Sequence, residues 1–250
     1  MGNRILSPEQ LAGVEEKLKR AEECFDHLEI EIAAHLKYPG STHGDDRHEA
    51  VSKALQHSRR PVPLRFGVMA GEIVHHLRSV LDHLVWMLSS DAYRLSHETA
   101  IGFPVLTKKP TNADKLRSYE RKINGITCDA AIELIERLQP YNAPDPLDDP
   151  LAIIHKLDRV DKHHTLVLVE CSWGLSLTLP RHFGTTFVLG VGTKAENDIL
   201  SSPLAEQLKV DFSLYVAFNE VGSGKAQPVI PGLSKLIDRT RQVVLFFSEL

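Results

Sequence analysis

The sequence predicts an α+β protein: an N-terminal helical bundle followed by a small antiparallel sheet and a C-terminal helix. Three observations lead there. Apolar residues recur at helical spacing through about the first 160 residues. From residue 164 the period shortens to two, in runs rich in β-branched and aromatic side chains. A proline-rich connection, PYNAPDPLDDP at 140–150, comes shortly before that change. The expected organisation is a bundle over 1–163 and a sheet plus closing helix over 164–250. The two pack as one unit, because a short sheet needs a helix to cover one face.

Ser7-Pro8-Glu9-Gln10 starts the first helix, with Ser as N-cap, Pro at the first helical position and Gln at the capping-box position. The helix should run to Leu36, before the Pro39-Gly40 turn signal. Residues 39–48 read as a polar loop, and 49–60 suit either a short helix or an edge strand. After Pro61 and Pro63 comes a helix over Leu64–Ser89. Ile73, Val74, Leu77, Val80, Leu81, Leu84, Val85, Met87 and Leu88 fall on one side of it. Glu72, His75, His76, Arg78, Ser79, Asp82, His83 and Trp86 fall on the other.

A loop with Gly102-Phe103-Pro104 follows. Asn112 caps a charged helix to Lys122, Thr127 or Asp129 caps AAIELIERL, and Asp149-Pro150 opens a helix to Val160. TLVLVEC and LSLTLP read as strands joined through SWG, and TTFVLGVG and VDFSLYVAF read as two more. Pro231 opens the last helix.

Hydrophobic residues make up 42% and charged residues 25% of the 250 positions, enough apolar content for a sizeable core. A formal net charge of −4 argues against broad non-specific binding to nucleic acid and leaves room for a local basic patch. Cys24, Cys128 and Cys171 are far apart and form no C-x-x-C, which fits a reducing compartment. No signal core, myristoylation pattern or membrane-length apolar run is present in the sequence, so a cytoplasmic protein with no membrane partner is expected.

The chemistry concentrates in GEIVHHLRSVLDHLVWML at 71–88. Glu72-x-x-His75 has the spacing that places two metal ligands on one helix face. A metal site, and with it a metal-dependent hydrolase, would use Glu72 and His76 with His27 and Glu31 of the first helix. His76 and His83 are too far apart, about 10 Å along the axis, to share one ion. Neither a nucleophile elbow nor a phosphate loop is present: Gly222–Lys225 lacks the earlier Gly and the following Ser or Thr. No cofactor is expected.

Arg78 and His83 make the sharper pair, since a cation to hold phosphate and an imidazole to move protons serve metal-free phosphodiester cleavage. Five residues of helix separate them by about 140° and roughly 7.5 Å. They meet one substrate only if the Arg side chain folds around, or if a second subunit completes the site in a homodimer. The structural alternative pairs Arg78 with Asp82 on the surface and makes His76, Ser79 and His83 a polar layer under a neighbouring helix. KLDRVDKHHTL at 156–166 is a second cluster, in which Asp161 could orient a histidine or basic groups could simply cap a helix. Arg59-Arg60, Lys108-Lys109, Arg117 and Arg121-Lys122 read as solvated faces, or as a track for RNA if they gather.

PLRFGVMAGEIVHHLRSVLDHLVWML, followed by FPV (103–105), LQPY (138–141) and LDRVDKHHTLVLV (157–169), resembles a family of uncharacterised bacterial proteins. That family carries a His-Asn-Leu-Arg-Ser-Ala-Leu-Asp-His-Leu pattern early and Asp-Lys-His-Arg later. More distantly, Arg78-Ser-Val-Leu-Asp-His83 is similar to the Arg-then-His motif of HEPN-superfamily bundles, many of them metal-independent, dimeric endoribonucleases. The resemblance implies an RNA-acting protein in which Arg78 binds the scissile phosphate, His83 is general acid or base, and Asp82 and His163 support them. The competing class is a non-catalytic binding or interaction module with a structural His-rich helix.

Overall fold

The computed structural model describes residues 5–36, 61–164, 169–178, 186–190, 209–218 and 227–250. The loop at 39–48, the element at 49–60, Arg59-Arg60 and the Gly222–Lys225 turn lie outside the described residues. The protein is mostly helical. Its described helices are α1 (Pro8–Leu36), α2 (Leu64–Leu88), α3 (Asp91–His97), α4 (Ala113–Ile123), α5 (Asp129–Arg137), α6 (Pro150–His164) and α7 (Val229–Ser248).

α1 begins as its sequence dictates. The Ser7 hydroxyl accepts from the Gln10 N–H at 3.2 Å, and the Gln10 amide oxygen accepts from the Ser7 N–H at 2.9 Å. This reciprocal pair satisfies two donors that a helix start would otherwise leave open. Val14, Leu18, Ala21, Leu28 and Ile32 form its buried stripe and pack on α2. α2 is the central rod. Ile73, Val74, Leu77, Val80, Leu81, Leu84 and Val85 are all fully buried, and α1, α6 and α7 lie against it. α7 closes the bundle with Leu233, Leu236, Val243 and Phe247.

Asn112 caps α4, accepting from Lys115 N–H at 2.9 Å, and Asp149 caps α6, accepting from Leu151 N–H at 2.9 Å. α5 departs from expectation: its N-cap is Cys128, without a side-chain bond, and Asp129 is its first helical residue. There the carboxylate still meets the positive end of the helix dipole. α6 runs to His164, about a turn beyond the expected end near Val160. α3 was not expected at all. It has seven residues and buries none of them, so it leaves no periodic apolar signal.

Beyond α6 the described backbone is extended in β1 (Val169–Thr178), β2 (Thr186–Gly190), β3 (Lys209–Phe218) and β4 (Gln227–Pro228). They pair antiparallel in the order β2-β1-β3-β4. TLVLVEC and LSLTLP are not two strands. β1 runs straight through Ser172-Trp173-Gly174, each of which has a partner on β3. Among the side chains described here, Val216, Ala217 and Phe218 enter the core beside α7. α7 itself starts at Val229, two residues before Pro231, which sits in its first turn where a missing N–H costs nothing.

The turn between α4 and α5 depends on close approach at Gly125. Its carbonyl accepts from Ser90 N–H at 2.8 Å, and Ser89 and Ile126 form an antiparallel bridge. A Cβ on Gly125 would stand 2.8 Å from Ser89 Cβ and 2.5 Å from a Tyr93 ring carbon. Ser89 is itself buried, so neither neighbour can retreat freely. Gly125→Ala should therefore destabilise the fold by roughly 1–3 kcal/mol, as overpacking does. Urea unfolding should show a lower midpoint at unchanged slope; an unchanged midpoint would show that the contact yields without cost.

Candidate functional site

α2 carries two polar stripes, and they face different neighbours. By 100° per residue, His76, Ser79 and His83 cluster about 100° around the helix from His75, Arg78 and Asp82. The first stripe lies under α1. Lys17 Nζ donates to the Ser79 hydroxyl at 2.6 Å, and His83 Cε1 lies 3.9 Å from where a Gly13 Cβ would sit. Burial lowers the pKa of His83, with the Lys17 charge adding to it. Burial and the neighbouring His75 lower that of His76. His83 Nδ1 is buried without a hydrogen-bond partner.

The second stripe faces α6 and the loop after α3. Arg78 is only 6% exposed, where the sequence had placed it at the surface. Its Nε donates to Asp82 Oδ2 at 3.1 Å and its Nη2 to Asp82 Oδ1 at 2.5 Å. Nη2 also donates to the Phe103 carbonyl at 2.7 Å, and Phe103 N–H donates to Asp82 Oδ1 at 2.8 Å. One ion pair thus holds both backbone groups of Phe103. A cation so deeply buried is stable only when paired and hydrogen-bonded.

The seam continues along α6. Asp158 has a 6% exposed side chain; Lys162 Nζ donates to its Oδ2 at 2.7 Å, and His75 Nδ1 is 3.6 Å from its Oδ1. That distance is too long for a hydrogen bond, and Oδ1 is left buried without one. Asp161 presses on Gly71, where a Cβ would lie 2.3 Å from its Oδ1. Only a glycine at 71 admits that carboxyl between the helices. Burial, then the Asp158 charge, raise the Asp161 pKa. His155 stands three residues before Asp158 on α6, and its Nδ1 is buried and unpartnered. Its pKa is pushed down to about 4, chiefly by burial and then by Arg78, Lys122 and Arg159. Lys122, at the end of α4, is half-buried. Burial and the Arg78 charge lower its pKa.

The structure thus brings Arg78 and Asp82 together and adds His75, Lys122, His155 and Asp158, which sequence reasoning had not assembled into one site. A signal was available: His155-x-x-Asp158 on α6 repeats the spacing of His75-x-x-Arg78 on α2. His83 lies on the α1 side, away from this group. His163 is exposed and outside the seam. Asp161 stands against Gly71 of α2 and near His75. The alternative metal ligands do not converge: Glu31 of α1 pairs with Arg65 and lies 3.8 Å from His27. Among the described residues no three His, Cys, Asp or Glu side chains gather as a metal site, His27, Glu31, Glu72 and His76 included. Of the described basic groups, Lys109 pairs with Glu136 and Arg117 with Asp114, while Lys122 is half-buried near Arg78 and Asp82. No described helix is long and apolar enough to cross a membrane. Compared with protein-family models, curated proteins and solved structures, the chain finds no match in any of the three.

Asp82→Ala should leave the Arg78 guanidinium buried without its carboxylate. Losing one partner of a fully buried pair costs about 3–5 kcal/mol. The Asp82 side chain is 39% exposed, so water enters and the expected loss is smaller, roughly 2–3 kcal/mol by the same reasoning. Chemical denaturation measures it, and a loss below that of an ordinary surface substitution would sink the clamp.

His155 also makes stability depend on pH. Its folded pKa of about 4 lies below the roughly 6.5 of a free imidazole. Between those values the unfolded chain binds more protons than the folded one, so stability falls as pH drops across that window. His76 and His83 act in the same direction. The urea midpoint should fall from pH 6.5 towards 4, and less steeply in His155→Gln. Parallel curves for the two proteins would show that His155 is not the buried neutral group described.

Proposed function

We propose that the protein is a non-catalytic binding module whose working part is the polar seam between α2 and α6. One observation carries this reading: the Arg78 guanidinium is engaged by Asp82 and Phe103, while His83 faces α1. A HEPN-like, metal-independent ribonuclease would need both groups on one phosphate, with Arg78 free to follow charge as it develops. Here Arg78 is part of the scaffold and His83 is packed beside Lys17. Of the four buried polar atoms without a partner among the described residues, the seam carries three, Arg78 Nη1, His155 Nδ1 and Asp158 Oδ1, and His83 Nδ1 is the fourth. Folded proteins keep few such atoms, and a ligand is one way to satisfy them.

The test is RNA cleavage in EDTA over a broad panel, with wild type beside Arg78→Ala and His83→Ala. The expected result is no cleavage by wild type and a stability loss in both variants, since Arg78→Ala leaves Asp82 and the Phe103 carbonyl without their donor and His83→Ala empties a packed position under α1. Cleavage by wild type that disappears in both folded variants would overturn the binding reading and establish the nuclease.

A further inference from the structure

We propose that Arg78, Lys122 and His155 form a site for the phosphate group of a small molecule. The proposal rests on the binding-module reading and names the ligand of that same seam.

Donor accounting comes first. A guanidinium has five N–H groups. Nε uses its one on Asp82, and Nη2 uses its two on Asp82 and the Phe103 carbonyl. The two on Nη1 are buried and have no partner. The clamp therefore fixes the guanidinium plane and leaves one edge of it unused. A pre-oriented guanidinium edge suits a phosphate oxygen, because no side-chain freedom remains to be lost on binding.

Charge comes second. Arg78, Lys122 and Arg159 all act on His155, and the carboxylate on the Arg78 side is Asp82. The next one, Asp158, is held by Lys162. Among the described residues Lys122 forms no ion pair, although Asp82 lies near enough to act on it. Asp161 stands farther along α6, beside Asp158 and Gly71. On the Arg78 side Lys122 is thus a half-buried cation without an ion pair, and an entering anion would supply one.

His155 supplies the third group. Its Nδ1 is buried without a partner, and the groups facing it are Arg78 of α2, Lys122 of α4, and Asp158 and Arg159 of α6. An anion between these cations reverses the local field and favours the imidazolium, which then donates to the ligand. Binding should therefore take up a proton. Size follows from burial. With Arg78 6% exposed, a terminal group can approach it where the backbone of a polymer cannot, so the ligand proposed is a phosphate monoester.

The experiment is titration calorimetry of the full chain with sulfate and with inorganic phosphate, at constant ionic strength against chloride. Sulfate keeps its charge across the pH range, so any pH dependence belongs to the protein. Wild type should show saturable binding of both anions, and that of sulfate should tighten as pH falls from 7 to 5. Runs in two buffers of different ionisation enthalpy should show proton uptake. Lys122→Met and His155→Gln should each weaken binding about tenfold or more, the scale of one charge-assisted hydrogen bond. Lys108→Met, at an exposed position, should leave it unchanged. Should either seam variant fail to fold, proton uptake in wild type still decides. No saturable binding above chloride overturns the site, as does binding equal in all variants or without proton uptake. Tight binding of a ten-nucleotide RNA with none of sulfate or phosphate also overturns it. RNA cleavage with sulfate binding retained would sink the binding-module reading and leave this site standing. Absence of both would do the reverse.

Discussion

The burial of one guanidinium governs the arrangement of this molecule. Arg78 sits in the middle of the central helix and is covered on its polar side, so its charge must be answered from within. Asp82, one turn on, answers it, and together they reach across to Phe103. From there the chain stays pinned. The Gln139 amide donates to the Pro104 carbonyl at 2.9 Å and accepts from Leu106 N–H at 3.1 Å, and Tyr141 N–H donates to the Leu106 carbonyl at 3.1 Å. An irregular segment is thus satisfied by side chains of α2 on one side and by Gln139 and the Tyr141 backbone, just past α5, on the other, in place of a strand partner. Phe-Pro-Val at 103–105 and Leu-Gln-Pro-Tyr at 138–141 are the two sides of that one contact.

A consequence is that the polar arc of α2 is not one surface. It divides into a stripe under α1 and a stripe against α6, about 100° apart at 100° per residue. In the α1 stripe Lys17 donates to Ser79, and one buried atom, His83 Nδ1, is left without a partner. The α6 stripe faces a helix with its own titratable groups, and there three buried atoms, Arg78 Nη1, His155 Nδ1 and Asp158 Oδ1, are left so. A polar layer specifies packing where it closes on itself and keeps bonding capacity where it does not.

Much of this was legible in the sequence where local chemistry decides. Ser7 with Gln10, Asn112 and Asp149 give helix starts because a side-chain oxygen and a backbone N–H a few residues on are enough to fix them. The apolar face of α2 and the layer at His76, Ser79 and His83 follow from periodicity. What periodicity cannot show is which polar residues are covered. It treats Arg78 and Lys122 as solvent-facing because they are charged, whereas a second helix or a loop can bury the polar side as well as the apolar one. His155 went unnoticed for the opposite reason: in Ile153-Ile154-His155 it stands in an apolar run and marks nothing alone. The single strand through Ser172-Trp173-Gly174 was hidden because a glycine reads as a turn until its partner strand is known.

The clamp bears on chemistry as well as on packing. For Arg78 to act as the mobile cation of a cleavage reaction, it would have to leave Asp82 and Phe103. Each charge-assisted hydrogen bond surrendered costs about 1.5–3 kcal/mol before any gain at the transition state. A carboxylate and a backbone carbonyl would also be left unanswered. Using Nη1 alone carries no such penalty, since the other three N–H groups stay where they are. The same geometry that makes Arg78 a poor catalytic cation makes it a good fixed donor, because its plane is set before a ligand arrives. Most of the bonding capacity left unsatisfied after folding, three buried atoms of four among the described residues, lies between α2 and α6.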